Sequence, residues 1–244
     1  MEITILGRWG AYPEGGEATA GYLMEHGETS LLLDCGSGVL SRLQERLPIS
    51  HLHSCLVTHY HHDHVADLGV LGYAVMLQSR SGARKTPFTF YLPKEPAQEK
   101  ERYLGIPGAQ IVEISPEDEL SIGGIRFTFL QTVHPIYTLA VKAEWGEKSW
   151  VYTSDTSFFE ELIPFVKGAD LLLAESNFYL GQDGSKAGHM NTGEVGRLAK
   201  EGEVKKVVIT HLPHVGKQED LVQQVRSVYS GPVYLAKIGD RYVI

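Results

Sequence analysis

Short apolar or alternating runs bounded by turn residues recur along the chain and predict strands. They lie at Ile3 to Leu6, Gly21 to Met24, Ser30 to Asp34, Ser54 to Thr58, Phe88 to Leu92, Gln110 to Ile114 and Ile125 to Thr132. Others follow at Tyr137 to Trp145, Lys148 to Ser154, Leu171 to Ala174, Val207 to Thr210 and Val233 to Ala236. Between them, apolar residues return at three- and four-residue intervals over Gly38 to Leu47, Val65 to Gln78, Phe158 to Val166, Thr192 to Lys200 and Glu219 to Tyr229, which predicts helices. Hairpin-forming strands joined to helices that each cover one face predict an α/β fold: a four-layer αββα sandwich of two mixed β-sheets with helices on the outer faces. The turn-rich segments Ser81 to Pro87 and Gln182 to Gly188 are expected to be surface loops, the second of them over a site.

At 244 residues, with no linker, repeat or low-complexity tract apparent, one domain spanning 1–244 is the expectation. The 22 basic and 30 acidic side chains give a net charge of −8, so no overall positive field attracts a long polyanion. Cys35 and Cys55 are too few for a disulfide framework and suit a reducing cytoplasm. The opening residues do not have the character of a signal peptide, and no apolar run has the length of a membrane span; a soluble protein with no membrane partner is expected.

The chemistry concentrates in Thr58-His59-Tyr60-His61-His62-Asp63-His64-Val65-Ala66-Asp67-Leu68, which carries four of the 11 histidines between an apolar run and a helical pattern. A strand ending, turning and entering a helix here gathers His59, His61, Asp63 and His64 at a sheet rim. Imidazole and carboxylate groups are ligands for zinc at about 2.0–2.2 Å, and suit manganese or iron. A polar loop with Asp63 capping the next helix is the plainer alternative, but so dense a group of histidines would repel itself when protonated and serves no packing purpose. One loop seldom completes a two-metal site. His134 after Ile125 to Thr132, Asp155 after Trp150 to Ser154, and His211 after Val207 to Thr210 each stand where a strand gives way to loop.

The order His59-x-His61-x-Asp63-His64, then His134, Asp155 and His211, resembles the metallo-β-lactamase superfamily, and within it the branch of ribonuclease Z and related phosphodiesterases. Ile5-Leu6-Gly7 with Gly10, and Leu33-Asp34-Cys35-Gly36-Ser37-Gly38, resemble that family's opening strand and Asp-Cys-Gly turn, so the likeness spans almost the whole chain. It implies two divalent metal ions, with zinc the first choice: one held by His59, His61 and His134, the other by Asp63, His64 and His211, with Asp155 bridging. Asp rather than Cys at the bridge speaks against the antibiotic-hydrolysing members. Ala174-Glu175-Ser176-Asn177-Phe178 and Gly188-His189-Met190-Asn191-Thr192 resemble the branch's paired Glu and His motifs, with the neighbouring small residues changed. His189 would then face the substrate and Glu175 would orient it. The alternative leaves Glu175 as a strand end and His189 as a loop residue before a helix cap.

Two metals about 3.5–4 Å apart can share a water, lower its pKa from about 15.7 toward about 7 and clamp the oxygens of an in-line displacement. A bridging hydroxide attacking phosphorus, with His189 steadying the transition state or protonating the leaving alkoxide and Asp63 accepting a hydrogen bond from the hydroxide, is the expected chemistry. Ribonuclease Z grips tRNA through a long arm inserted between the positions of His134 and Asp155. Here a tight turn at Gly146-Glu147 joins the two strands, which disfavours folded tRNA and favours a small phosphodiester, such as a cyclic nucleotide or short oligonucleotide end. A homodimer is compatible with this reading. Thioester or lactone hydrolysis on the same metals, and a non-catalytic metal- or metabolite-binding protein, are the alternatives; burying so many converging ligands without a metal would be costly.

Other polar groups near the motif carry less. His62 is expected to be exposed, and His51 and His53 to be surface or edge residues. His214 follows Pro213 and is left open. Asp67 either supports a ligand or lies on the helix surface, and Asp34 fixes the turn under the metal loop. Trp145, Trp150 and the tyrosines are expected in core and hairpin pairs.

Overall fold

The computed structural model describes residues 1–244. In chain order its strands are β1 (Glu2–Gly7), β2 (Gly21–His26), β3 (Thr29–Leu33), β4 (Ser54–Leu56), β5 (Phe88–Pro93), β6 (Ala109–Ile114) and β7 (Glu119–Ile122). They continue with β8 (Ile125–Gln131), β9 (Leu139–Trp145), β10 (Lys148–Tyr152), β11 (Leu171–Glu175), β12 (Val207–Thr210), β13 (Val233–Leu235) and β14 (Arg241–Val243). The helices are α1 (Val39–Arg46), α2 (His62–Val65), α3 (Leu68–Arg80), α4 (Ala97–Glu101), α5 (Leu162–Val166), α6 (Thr192–Glu201) and α7 (Gln218–Arg226). None is long and apolar enough to cross a membrane.

The chain folds into two compact units, Met1–Ser115 with Lys237–Val243, and Pro116–Ala236. The first holds a mixed sheet in the order β14-β1-β2-β3-β4-β5-β6, antiparallel from β14 to β3 and parallel from β3 to β6. The second holds a mixed sheet in the order β13-β12-β11-β10-β9-β8-β7, antiparallel from β7 to β10 and parallel from β10 to β13. Each unit thus repeats one plan, an antiparallel set feeding a parallel set. The repetition is one of pairing, which is why no residue repeat announces it.

In the first unit, Leu32, Cys55, Phe88, Phe90 and Leu92 present one sheet face to Val39, Leu40 and Leu43 of α1 and to Leu68, Leu71 and Val75 of α3. Those helix positions recur at three- and four-residue spacing, the stripe that buries one side of a helix. Each such side chain contributes about 1.5–3 kcal/mol through removal from water. In the second unit every residue of β11 and β12 is buried, as the continuous apolar runs of parallel strands require.

Three expectations are corrected. The helix expected over Val65 to Gln78 is two helices, α2 and α3, divided at Ala66 and Asp67. The division has a cause in the Asp-Cys-Gly turn: Cys35 N–H donates to His64 O at 2.8 Å, and Asp67 N–H donates to Cys35 O at 3.0 Å, so these groups bond across to the turn. The Asp67 carboxylate caps not its own helix but α1, accepting from Leu40 N–H at 3.0 Å, where a negative charge meets the positive end of the helix dipole. The helix expected from Phe158 begins only at Leu162, because Pro164 has no N–H for the carbonyl of Glu160 and its ring clashes there. Strands β7 and β14 were not expected; with four and three residues, they are too short to show a period.

Candidate metal centre

In both units several of the polar side chains stand at the carboxyl ends of parallel strands, where α/β sheets place their sites, while His134 follows the antiparallel β8. Asp34 follows β3 and His59 follows β4; Asp155 follows β10, Glu175 ends β11 and His211 follows β12. The backbone turns sharply at these ends. Asp34 (φ 57°), Ser154 (φ 51°) and His211 (φ 51°) are left-handed, as is Ala11 (φ 61°), leaving only Glu203 of the left-handed non-glycine residues elsewhere. Such residues cost about 1–3 kcal/mol each and persist where surrounding bonds fix them.

The first unit gathers His59, His61, Asp63 and His64. His59 and His64 are fully buried, with ring centroids 4.0 Å apart, and His59 Nε2 lies 3.2 Å from His61 Nδ1. Asp63 Oδ2 lies 3.8 Å from His64 Nε2 and accepts from Ala11 N–H at 2.8 Å. Beneath them Asp34, fully buried, accepts from Thr58 N–H (2.8 Å), Thr58 Oγ1 (2.9 Å) and His64 Nδ1 (2.8 Å). Gly36 lets the turn pass: a Cβ there would lie 2.0 Å from the Asp63 carbonyl oxygen. Cys35 and Cys55 are reduced and buried, and burial pushes both thiols well above their ordinary range.

The second unit gathers His134, Asp155, Glu175, His189 and His211. Asp155 Oδ2 lies 4.0 Å from His134 Nε2 and 3.3 Å from His211 Nε2, so one carboxylate oxygen faces two imidazoles. His134 Nδ1 donates to Gly188 O at 3.0 Å, and Gly188 has no room for a side chain, since its Cβ would sit 2.6 Å from His134 Nδ1. Buried Glu175 accepts on Oε1 from His189 Nδ1 (3.0 Å), Met190 N–H (3.0 Å) and Thr156 N–H (3.2 Å), and on Oε2 from Asn177 N–H (3.1 Å). Glu175 thus holds the His189 ring by its Nδ1. The His189 ring stacks on His211 at 5.2 Å and meets His134 edge-on at 5.3 Å.

These donors fit a metal. His64, His134 and His189 each have Nδ1 held by an oxygen, which fixes the tautomer and presents Nε2 as a lone pair, the usual support of a metal-bound imidazole. Asp155, His189 and His211 offer donor atoms that all lie within 4.8 Å of one another.

His62 and His51 are exposed, and His53 is held at Ser30 by Oγ and N–H. Trp150 is fully buried in β10, and Trp145 ends β9 exposed, paired with Lys148 across the hairpin. Two supports had gone unseen in the sequence. Asp34 orients His64 as well as fixing the turn, which its place beside Cys35-Gly36 hinted at. Ala11 positions Asp63 through a backbone N–H, and no residue type signals that.

Two mixed sheets with helices, and a His/Asp cluster at strand ends able to hold a metal, define a metallo-hydrolase of the β-lactamase type. The profile described as "Beta-lactamase superfamily domain" matches residues 29–212, and the chain belongs to the metallo-β-lactamase superfamily. The chain is 39% identical to "Probable metallo-hydrolase YhfI" of Bacillus subtilis over 98% of each. The crystal structure of that metallo-β-lactamase fold protein matches with a TM-score of 0.96 over 99% of this chain and 98% of the other, at 38% identity. A ribonuclease Z of Methanopyrus kandleri is 25% identical over 94% of this chain and 93% of its own. A diphosphatase of the PhnP family shares the fold at a TM-score of 0.79 and 15% identity, over 100% of this chain and 97% of its own.

Proposed function

We propose that the protein is a dinuclear phosphodiesterase acting on small phosphodiesters. In this reading His59, His61 and His134 hold one divalent cation, Asp63, His64 and His211 hold a second, and Asp155 serves both, with zinc suited to the nitrogen-rich set. The cations would supply an activated water and charge neutralisation on the phosphoryl oxygens. The chain's own groups do the rest. His189, with Nδ1–H fixed on Glu175, can carry a proton on Nε2 and deliver it to the leaving alkoxide, while the buried Glu175 carboxylate stabilises the imidazolium. Asp63, steadied by Ala11 N–H, accepts the proton of the attacking water.

The observation that carries the reading is the His189–Glu175 pair at 3.0 Å, set beside His134 and His211. Cleaving a diester expels an alkoxide, a poor leaving group that needs a proton; a thioester expels a thiolate, which leaves without that donor. The β9–β10 hairpin bears on substrate size: its strands pair from Trp145 and Lys148 around two residues, Gly146 and Glu147. That turn holds no arm to grip a folded tRNA, and the net charge of −8 gives no compensating attraction. A cyclic nucleotide or an oligonucleotide end fits better.

The test is metal analysis of the purified protein together with a screen of chromogenic phosphodiesters, phosphomonoesters, thioesters and lactones. Two equivalents of metal and diester turnover are expected, with turnover of a diester that expels an alkoxide lost in His189→Ala and that of a chromogenic aryl diester lowered less. Turnover of thioesters or lactones without diesters would remove the reading.

A further inference from the structure

The second unit gathers more donor atoms than the two-metal reading asks of it. That reading takes His134, Asp155 and His211 as ligands and reserves His189 for substrate. Yet His189 offers a donor atom within 4.8 Å of those of Asp155 and His211. Asp155 and His211 are almost fully buried, at 1% and 2% exposure, and the His189 side chain is 16% exposed. The stack of His189 on His211 (24° between planes) keeps the two rings side by side. Glu175 Oε1 holds His189 Nδ1, so in the neutral ring the lone pair is on Nε2. A buried carboxylate on the far nitrogen of an imidazole is the arrangement of carboxylate–histidine–zinc triads.

We propose that His189 is an exchangeable ligand. Without substrate, its Nε2 joins Asp155 and His211 on one cation of the zinc class. A phosphoryl oxygen of the substrate displaces it, and the imidazole released is then placed to meet the leaving oxygen. Two nitrogens and one carboxylate oxygen suit zinc and cobalt rather than magnesium, which prefers oxygen ligands and retains its water. The proposal rests on the two-metal reading for the ligand roles of Asp155 and His211, and adds a resting state to that site. Substrate binding and release of the imidazole become one event: the freed Nε2 lone pair takes up a proton from solvent and then gives it to the leaving oxygen, so no proton carrier is available until a diester is in place.

The test needs no turnover. The protein is labelled with ¹⁵N-histidine, and the side-chain nitrogens are followed as zinc is added, then as inorganic phosphate is added. His189 Nε2 should move to the position of a coordinated nitrogen with zinc, return with phosphate, and stay unmoved by magnesium. In parallel, zinc affinity is measured by competition with a chromophoric chelator for wild type and His189→Ala, where one cation should be held about tenfold or more weaker. Zinc bound normally, with His189 Nε2 unmoved and affinities equal in the two proteins, overturns this proposal and leaves the two-metal reading standing. Failure of the wild type to hold any zinc removes both.

Discussion

His64 Nδ1 donates to Asp34 Oδ2 at 2.8 Å, between two side chains with no exposed surface. The bond decides which nitrogen of His64 carries the proton, because a carboxylate can only accept. Asp34 meanwhile holds the next turn through Thr58 N–H on Oδ1 and Thr58 Oγ1 on Oδ2. One side chain thus shapes the loop and sets the tautomer of a candidate ligand.

Asp34→Asn separates those two tasks. Asparagine tolerates the left-handed backbone at φ 57°, and its oxygen can still accept from Thr58 N–H. Its NH₂ would face His64 Nδ1 and force the proton onto Nε2. Zinc affinity is expected to fall about 10–100-fold with the fold kept, as read by chelator competition and thermal melting. Asp34→Ala strands buried donors at about 1–3 kcal/mol each and should melt well below the Asn variant. Wild-type zinc affinity in Asp34→Asn would show that the tautomer does not matter.

Glu175 and His189 should behave as a unit. His189→Ala is expected to lower diester turnover by about 10²–10⁴-fold, and Glu175→Gln should lower it less. The double variant should be no slower than His189→Ala, because Glu175 acts through the imidazole. Independent, multiplying losses would place Glu175 in direct contact with substrate. Since Glu175 also accepts three backbone N–H groups, melting curves accompany the kinetics, and the turnover comparison is made below the transition of each variant.

Much of this site was legible because metal-ligating chemistry uses few residue types. The strands ahead of His59, Asp155 and His211 announced themselves as apolar runs, and the histidine and aspartate at each end had no packing use. The hairpin turn at Gly146-Glu147 was equally plain. The break between α2 and α3 was not, because it follows from bonds between Cys35, His64 and Asp67, whose partners lie far apart in sequence. Ala11 is harder still. Its N–H reaches Asp63 across 52 positions, and a backbone amide is carried by almost every residue. What the sequence displays is side-chain chemistry, and what it hides is backbone support.

Gly36 is where that support can be tested. A methyl group there would lie 2.0 Å from the Asp63 carbonyl oxygen and 2.2 Å from Thr19 Oγ1, the latter already bound to Ser37 N–H at 2.7 Å. Backbone must move, at a cost of about 3 kcal/mol, which for a chain of this size lowers the melting temperature by about 6–12 °C. Gly36→Ala should show that drop even without metal. A loss of less than about 2 °C would mean the turn has slack.

Glu194 gives a pH dependence of opposite sign to the usual carboxylate. It closes the capping box of α6 with Asn191, accepting from Asn191 N–H at 2.8 Å. Burial raises its pKa from the ordinary 4.5, against the lowering effect of that hydrogen bond, with nearby Glu175 adding to the rise. The folded state therefore holds this proton to higher pH than the unfolded chain does. The resulting stability is fully present below about pH 4.5 and is lost as pH rises through the folded pKa. Glu194→Gln keeps an acceptor for the capping box and removes the charge, so it should melt higher than wild type at neutral pH. The gain should shrink on acidification; a variant that melts lower at pH 7 would show that the charge itself stabilises the helix start.

The thiols of Cys35 and Cys55 should report the integrity of the first unit. Both are fully buried, Cys35 in the turn that holds His64 and Asp67, Cys55 in the middle of β4. Burial disfavours the thiolate, and the neighbouring Asp34 carboxylate pushes both thiols further in the same direction. A thiol that is neither ionised nor reachable does not attack a disulfide reagent. Native protein at pH 8 should therefore resist such a reagent until it opens, and both thiols should react at once in denaturant. In Gly36→Ala, which strains the Cys35 turn directly, Cys35 should become reactive before Cys55, resolved by mass mapping of the labelled peptides. Equal and rapid labelling of both in the native wild type would mean that the first unit opens freely, and that the tight bonding beneath the histidines does not hold in solution.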